Sequence, residues 1–354
     1  MAMQIDTMPA GLEPSPAGTV GPPRRTRGGM TSVVVRRLIG AFFSVVAVIV
    51  FNFFLFRLLP GDPARNLGRN RHLSAEQMAN LRDSWGLDEP LPQQFLHYLD
   101  RLLLHGDLGI SLAKSQAVTT VISEKIWATV LLVGTSTILS TVIGLWIGIK
   151  GAWERGSRFD RLSNAASLTL YAMPEFWLGI VLLMLVAGNQ IGLGLFPTGG
   201  IHSPDVTGGA IGSVVDVGYH LFLPCLTLTL AYLAEYSLVM RSSLLDEMGQ
   251  DYLQTARAKG LRDTSVRRRH AVPNALLPTI TLIFLNFGFV ISGALTVEYV
   301  FSWPGLGSLA VEALSTPDFP LLQGVFLLFA ASTIMFNLVA DLMLGVLDPR
   351  VREA

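Results

Sequence analysis

Long apolar runs, separated from one another by polar or basic stretches, dominate the pattern along this chain. A helix that crosses a bilayer needs about 20 mostly apolar residues, and six runs are long enough. The fourth run is the weakest, because Glu235 interrupts it near its end. The pattern therefore predicts an all-α membrane protein with six transmembrane helices, which we place at residues 36–58, 127–149, 163–188, 220–241, 277–301 and 320–347.

The composition agrees with a membrane protein. Hydrophobic residues make up 51% of the chain and charged residues only 15%, whereas about a quarter of a soluble domain is charged. A formal net charge of zero argues against a nucleic-acid partner. Cys225 is the only cysteine, so no internal disulfide can form, and no Cys/His cluster has the spacing of metal ligands. We expect membrane lipid around the chain, and no bound metal.

The basic residues indicate how the chain is oriented. Arg36 and Arg37 precede the first run, and the connections after the second and fourth runs are rich in Arg and Lys. Residues 189–220 and 302–319 contain neither Lys nor Arg. Because basic residues concentrate in short cytoplasmic connections, we expect both termini on the cytoplasmic side.

The two ends of the chain differ from the apolar core. Residues 1–31 are rich in Pro, Gly and Ser and lack apolar periodicity, so they bury too little surface to fold. We expect a disordered cytoplasmic tail, with translation from Met30 as an alternative. The first transmembrane helix then occupies residues 32–58, five more helices form a core at 127–347, and residues 348–354 form a cytoplasmic C-terminus.

Residues 59–126 are too many for a simple loop, and we interpret them as a small extracytoplasmic module. Ser74 and Gln77 have the spacing of a helix capping box. A second short helix is predicted after Pro92, with an apolar stripe made of Phe95, Leu96, Leu99 and Leu102 or Leu103. Two interpretations stay open: a packed cap on the helix bundle, and a docking surface for a soluble partner.

Motifs for enzymatic chemistry are absent from the sequence. No Gly-Lys dipeptide occurs, so there is no P-loop, and neither HExxH nor GxSxG is present. We therefore predict a non-catalytic membrane subunit that does not hydrolyse ATP by the P-loop route. An ATP-independent secondary transporter is the alternative from another class. It would require inverted repeats or a continuous polar path, and neither is clear.

Ionisable residues inside apolar runs are functional candidates by default. Asn337 and Asp341 stand four residues apart and share a helix face, which favours a polar contact between helices or a charge pair. Glu235 lies near the cytoplasmic boundary, where it could snorkel or pair with Arg241. Glu175 follows a proline in the third run, and the sequence assigns it no role.

Two glycines in the second run are spaced for helix packing. Gly144 and Gly148 form a GxxxG pattern, which lets a neighbouring helix approach closely. Glycine is common in membrane helices, so the pattern is equally compatible with a glycine pair that packs against nothing.

The most informative stretch is residues 251–278, within and just beyond the cytoplasmic connection 242–276. Local rules predict two short helices. The first covers residues 252–259 and stops at Gly260, which can adopt the left-handed conformation. The second is capped by Asp263 or Thr264 and ends before Pro273. Such a unit would be rigid, and Ala256, Ala258 and Gly260 would let a partner approach closely. The alternative is a basic loop that contacts anionic lipid.

The spacing from Gln254-Thr255-Ala256 to Gly260, and on to His270 and Pro273, resembles the EAA loop of ABC importer permeases. Gln254 and Thr255 depart from the first two letters of that name. The stretch 255–261 is typical of the dipeptide/oligopeptide branch. Four more segments resemble that branch in the same order, namely Arg57–Pro63, Gly106–Gly109, Glu298–Gly307 and Leu347–Arg350.

The resemblance implies a permease with the type I ABC importer fold and di- or oligopeptides as cargo. Nickel chelates, haem or other small cargo are the alternatives. It implies a homologous second permease, two ABC ATPase subunits that carry ATP and Mg²⁺, and an extracytoplasmic substrate-binding protein in a bacterial inner membrane. It assigns coupling to the ATPases to Tyr252, Gln254, Thr255, Ala256, Ala258, Gly260, His270 and Pro273.

A cluster of Trp303, Pro304 and Gly305 follows the fifth run. Aromatic residues are frequent at membrane interfaces and Pro and Gly form turns, so the cluster predicts a tight connection at the extracytoplasmic surface. Docking of the binding protein or an extracytoplasmic gate is the functional alternative. We favour the turn.

Overall fold

The structure is a computed structural model that describes residues 30–58, 74, 76, 89–187, 193–204 and 208–347. This part of the chain is almost entirely helical, and its one β pairing is an isolated bridge between Ile110 and Ala117. Two π-helical turns occur in it, at Leu183–Ala187 and Arg267–Ala271. In chain order the helices are α1 (Met30–Leu58), α2 (Leu91–His105), α3 (Val118–Trp153), α4 (Arg158–Ala172), α5 (Glu175–Leu182), α6 (Gly209–Met248), α7 (Asp251–Ala258), α8 (Asp263–Val266), α9 (Val272–Gly293), α10 (Leu295–Val300), α11 (Leu306–Ser315) and α12 (Phe319–Leu347).

Five helical segments of the described residues are long and apolar enough to span a membrane. They correspond to the first, second, fourth, fifth and sixth predicted spans. The third is a bent pair, because α4 and α5 meet at 102°. Pro174 lies at the break, and Met173 before it is extended with ψ 130°. A proline disfavours a helical residue before it, so the span predicted at 163–188 is bent in the structure. Counted as one span, the bent pair brings the total to six.

Helices α3 and α6 are longer than their apolar runs. They have 36 and 40 residues, and at about 1.5 Å per residue both exceed a bilayer core of about 30 Å. Helix α3 begins at Val118, so residues 118–126 of the extracytoplasmic module predicted at 59–126 belong to the same helix as the second span. Hydropathy locates the apolar stretch of a helix and gives no signal for its polar extensions.

Close packing of α3 on α6 forms the centre of the bundle. A Cβ built on Gly144 would lie 2.9 Å from the carbonyl oxygen of Leu233, and one on Gly148 would lie 2.7 Å from that of Ser237. Both distances are too short for a real side chain, so the two backbones meet at these glycines. The GxxxG interpretation is confirmed, with α6 as the partner helix.

Helix α2 packs on α1 through part of its predicted apolar stripe. Phe95, Leu99 and Leu102 pack against a cluster that includes Phe53 of α1. Leu96 and Leu103 are exposed instead, because they lie on a different face of the helix. Of the predicted capping box, Ser74 is described, and Gln77 lies outside the described residues. Residues 1–29 of the predicted tail and the C-terminus at 348–354 also lie outside them.

Within the described part of the chain, two ion pairs connect the spanning helices. Asp341 accepts a hydrogen bond from Arg37 Nη1 at 2.8 Å, which confirms a charge pair on α12. Arg241 binds Asp160 in a two-point contact at 2.7 and 3.1 Å. The sequence did not identify this second pair.

Two further acidic residues of the apolar runs, Glu235 and Glu175, have polar partners. Glu235 accepts a hydrogen bond from Asn286 Nδ2 at 2.9 Å. Because Arg241 is bound to Asp160, the predicted pairing of Glu235 with Arg241 was wrong. Glu175, to which the sequence assigned no role, accepts from the Thr296 hydroxyl at 3.4 Å.

Candidate functional site

The segment 251–274, which we call the coupling segment, lies at the end of the bundle where α3 and α6 end and α9 begins. Its first helix, α7, has one buried face, on which Leu253 and Ala256 pack against Met240 and Leu244 of α6. The sequence predicted that Ala256 faces a partner, and this was wrong, because the helical period turns it into the core.

The other face of α7 is open. Gln254, Thr255 and Ala258, three of the predicted coupling residues, are all exposed. The helix is thus fixed to the bundle on one side and free to meet another protein on the opposite side.

Gly260 ends this first helix as predicted. Its φ is 78°, in the left-handed region, and its N–H donates to the Arg257 carbonyl at 2.9 Å. No atom lies within 4 Å of a Cβ built there. The glycine is therefore required by backbone conformation and leaves an open surface beside Ala258.

The second predicted helix does not end before Pro273. Helix α8 begins after Arg262, which makes no side-chain capping bond, so neither Asp263 nor Thr264 is the N-cap. The π turn Arg267–Ala271 joins α8 to α9, and the helix runs through Pro273 into the fifth span. A proline lacks the N–H and crowds the preceding turn, and a π turn is a local adjustment that accommodates it. The coupling segment is thus continuous with α9.

A tryptophan ties the coupling segment to α3. Trp153, the last residue of α3, donates from Nε1 to Asp263 Oδ2 at 2.9 Å. The guanidinium of Arg267 lies 5.8 Å from the Trp153 ring centre, within the range of a cation–π contact. In the sequence this segment lies between the fourth and fifth spans, and the structure adds a contact with the second.

Tyr252 links α6, α7 and α9. Its hydroxyl donates to the Glu247 carboxylate and lies 3.2 Å from the carbonyl oxygen of His270. Asn274 Nδ2 donates to the same hydroxyl at 2.9 Å. Burial and the Glu247 carboxylate raise the pKa of Tyr252 to about 12, so the hydroxyl stays protonated and able to donate at neutral pH.

The exposed surface of the coupling segment is predominantly cationic. Of the remaining predicted coupling residues, Pro273 is exposed and the His270 side chain is half-buried. Asp263 is an acidic residue of this surface, and it pairs with Arg257 at 3.7 Å. The exposed basic residues of the segment are Arg257, Lys259, Arg262, Arg268 and Arg269.

The cluster at Trp303 lies at the opposite end of the bundle and forms a closed turn. Trp303 is fully buried and donates from Nε1 to the Ala128 carbonyl at 2.8 Å. Gly305 is enclosed, because a Cβ there would overlap the carboxylate of Glu298. Burial removes both from any surface that a soluble protein could contact in this conformation. Pro304 is partly exposed, and a docking or gating role for it stays a prediction.

Glu298 organises this turn, and sequence reasoning missed it. The buried carboxylate accepts from Thr129 Oγ1 at 2.6 Å and from the N–H groups of Gly307 and Ser308 at 2.7 and 3.2 Å. The Thr129 hydroxyl in turn accepts from Leu306 N at 2.7 Å. A carboxylate at the first turn of α11 satisfies free N–H groups and interacts favourably with the helix dipole. In the sequence, the sign that could have pointed to this role is a lone glutamate shortly before a Gly-rich turn.

Among the described residues, no three His, Cys, Asp or Glu side chains are placed to hold a metal ion. The coupling segment is instead a surface built from helix packing, a positive-φ glycine and a group of basic side chains.

Comparison with known proteins identifies the class. Residues 140–353 match the family described as binding-protein-dependent transport system inner membrane component, and residues 30–133 match its N-terminal family. The dipeptide transport system permease protein DppB of Escherichia coli K12 is 37% identical over 341 residues, which cover 92% of this chain and 99% of the relative. The glutathione transport system permease protein GsiC of Pectobacterium atrosepticum is 36% identical over 323 residues, covering 91% and 99%.

A solved structure has a similar fold. An inward-facing form of the MetNI methionine ABC transporter superposes with a TM-score of 0.50 at 14% identity, covering 65% of this chain and 97% of that chain. This likeness concerns the fold alone. The chain belongs to the binding-protein-dependent transport system inner membrane component family, and it is a multi-pass permease subunit with the type I ABC importer fold.

Proposed function

We propose that this permease carries di- or oligopeptides and forms half of their translocation pathway. The single observation that carries its coupling role is the geometry of the coupling segment. One face of α7 packs against α6. On the other face, Gln254, Thr255 and Ala258 are exposed beside the open surface at Gly260. A push on that outer face would be passed to three spanning helices.

The supporting contacts reach each of those helices separately. Leu253 packs in the cluster that contains Met240 of α6. Trp153 connects Asp263 to the end of α3. The π turn continues into α9 without a break. Because packed helices move as bodies with few alternative arrangements, we propose that closure of ATPase subunits shifts the ends of all three together.

The proposed assembly contains two permeases, two ABC ATPase subunits and an extracytoplasmic binding protein. ATP and Mg²⁺ would bind the ATPases, since no P-loop occurs in this sequence. The basic end of the bundle, with Arg262, Arg268 and Arg269 exposed, would face the cytoplasm, as would both termini. The turn at Glu298 would then lie on the extracytoplasmic side.

Peptide cargo rests on the relatives. The two named above are called dipeptide and glutathione transport permeases, and each is matched over nearly its full length. Both names describe short peptides, so the same class of cargo is the proposal for this chain.

The coupling surface can be tested by cysteine labelling in inside-out membrane vesicles. The native cysteine is first removed as Cys225→Ala, and then Ala258→Cys or Ala256→Cys is introduced singly. Both start from alanine on the same helix, but Ala258 is exposed and Ala256 is 7% exposed. A membrane-impermeant maleimide is applied before and after urea removes peripheral proteins.

We expect the cysteine at position 258 to be shielded in native vesicles and to react after urea treatment. The cysteine at position 256 should react weakly in both. In right-side-out vesicles neither should react. Equal labelling at 258 before and after urea would mean that no peripheral protein covers this face and would contradict the coupling role.

A further inference from the structure

A cavity between α1, α2 and α12 lies at the end of the bundle opposite the coupling segment. Its volume is about 230 Å³. Aromatic rings of Phe53, Phe56 and Phe319 form much of its wall. It is separate from the coupling segment and from the Glu298 turn, so it lies outside the proposed coupling function.

Polar groups that lack well-formed hydrogen bonds line this apolar space. Arg57 Nε, Tyr98 Oη and Gln323 Nε2 are buried and have no hydrogen-bond partner within the part of the chain that the structure describes. The Tyr98 hydroxyl has the Gln323 and Asn52 side chains as neighbours, but neither meets it in hydrogen-bonding geometry. A buried donor without an acceptor is destabilising, so three potential donors in one cavity favour an occupant that brings acceptor atoms.

The charges around the cavity favour the same kind of occupant. Arg57 and Arg101 both line it, and their positive charges repel each other. Asp107 is the acidic residue in the lining, and its Oδ1 already accepts from Gly109 N at 2.8 Å. The lining therefore has an excess of positive charge, which a monoanion with several acceptor oxygens would neutralise.

The cavity lies at the depth of a membrane interface. Arg57 is the last residue of the first apolar span, and Phe319 is the first of the last span. Further into the span on α1, the apolar side chains of Phe51, Phe54 and Leu55 are exposed. An anion that also carries acyl chains could place its charge in the cavity and its chains along this surface.

From these contacts we propose that the cavity binds the phosphodiester of an anionic phospholipid headgroup. Arg57 and Arg101 supply the positive charge, and Tyr98 and Gln323 donate the additional hydrogen bonds. Free phosphate has the same acceptor chemistry without the acyl chains, so the test separates the two sources.

The full-length chain is purified in a maltoside detergent and titrated with phosphatidylglycerol, with inorganic phosphate in a parallel series. Binding is followed by native mass spectrometry and by the thermal unfolding midpoint. Variants Arg101→Gln and Gln323→Met each remove one donor group from the lining. Lys125→Gln is the matched control, since Lys125 lies at the same end of the bundle on α3 and outside the cavity.

We expect phosphatidylglycerol to raise the unfolding midpoint of the wild-type chain, and inorganic phosphate at equal concentration to leave it unchanged. Loss of one charge-assisted hydrogen bond should weaken lipid binding about tenfold in Arg101→Gln, with a smaller loss in Gln323→Met. Lys125→Gln should bind as the wild type does. An equal response to inorganic phosphate would overturn the lipid source. No response to lipid, or equal weakening in the Lys125 variant, would overturn the site.

Discussion

Single buried residues hold together the end of the bundle opposite the coupling segment. Glu298 is enclosed by Thr129 and by the first N–H groups of α11, and Gly305 passes directly over its carboxylate. The chain can pass so close only because Gly305 has no side chain, so this position is sensitive to a single added methyl group.

Gly305→Ala should therefore destabilise the protein by about 1–3 kcal/mol, the usual cost of overpacking a filled site. The new methyl group would overlap the Glu298 carboxylate and force the turn to move. Gly134→Ala is the matched control, because nothing lies within 4 Å of a Cβ at that position on α3. Thermal unfolding in detergent provides the measurement. Equal midpoints for the two variants would show that the turn is loosely packed.

The two ion pairs of the spanning helices should differ in strength because they differ in exposure. Asp160 is 5% exposed, whereas Asp341 and Arg37 are 34% and 39% exposed. Asp160→Asn leaves the Arg241 charge without its partner, and breaking a well-buried pair costs about 3–5 kcal/mol. Since Arg241 is 24% exposed, we expect a loss at or below the lower end of that range. Asp341→Asn should cost less than about 1 kcal/mol, because Arg37 and Asp341 lie within one turn of the ends of their spans, where water reaches the pair. Unfolding in a graded denaturing detergent compares them, and a larger loss for Asp341→Asn would refute the contrast.

At the scale of elements, the end of α7 is set by one backbone conformation. Gly260→Val should lower ATP-dependent uptake by about tenfold or more while membrane insertion stays normal, because a β-branched residue is strained at φ 78°. Gly260→Asn should retain most uptake, since asparagine tolerates the left-handed region. Uptake is measured with a radiolabelled dipeptide in whole cells.

A second glycine variant tests whether the loss of uptake depends on where the strained residue lies. Gly156 has φ 80° with no atom within 4 Å of a built Cβ, and it follows α3 at the same end of the bundle. Gly156→Val introduces the same strain outside the coupling segment. Normal uptake by Gly260→Val, or an equal loss in Gly156→Val, would contradict a specific role for the α7 end.

Helices were predictable from the sequence where one physical signal determined them. Apolar length located the spans, and Gly260 and the Gly144–Gly148 pair were identified from the demands of left-handed backbone and close packing. The effect of a proline on its helix was not predictable from the sequence. Pro174 breaks the third span, whereas the helix runs through Pro273 after a π turn. The outcome depends on tertiary packing around each proline, which short-range sequence rules do not include.

The local structure of the candidate site was predictable only in part. The spacing around Gly260 located the coupling segment, yet the inward turn of Ala256 and the contact from Trp153 to Asp263 were not apparent. Both depend on which helices surround α7 in three dimensions. Glu298 was missed for the same reason, since its donors come from residues on α3 and α11.

For the molecule as a whole, two of the spanning helices that meet the coupling segment, α3 and α6, also form the packed centre of the bundle. Met240 of α6 packs with residues of the coupling segment, and Gly148 of α3 lies against the same methionine. A movement imposed on α7 would therefore reach the α3–α6 contact directly, as the proposed coupling role requires.

The most direct test of this account is affinity purification of the full-length chain from native membranes in mild detergent, with mass spectrometry of the proteins that accompany it. We predict recovery of a P-loop ATPase and of a second multi-span permease. Recovery of the chain alone or only as a homo-oligomer, together with transport after reconstitution without ATP, would contradict it and support an ATP-independent transporter.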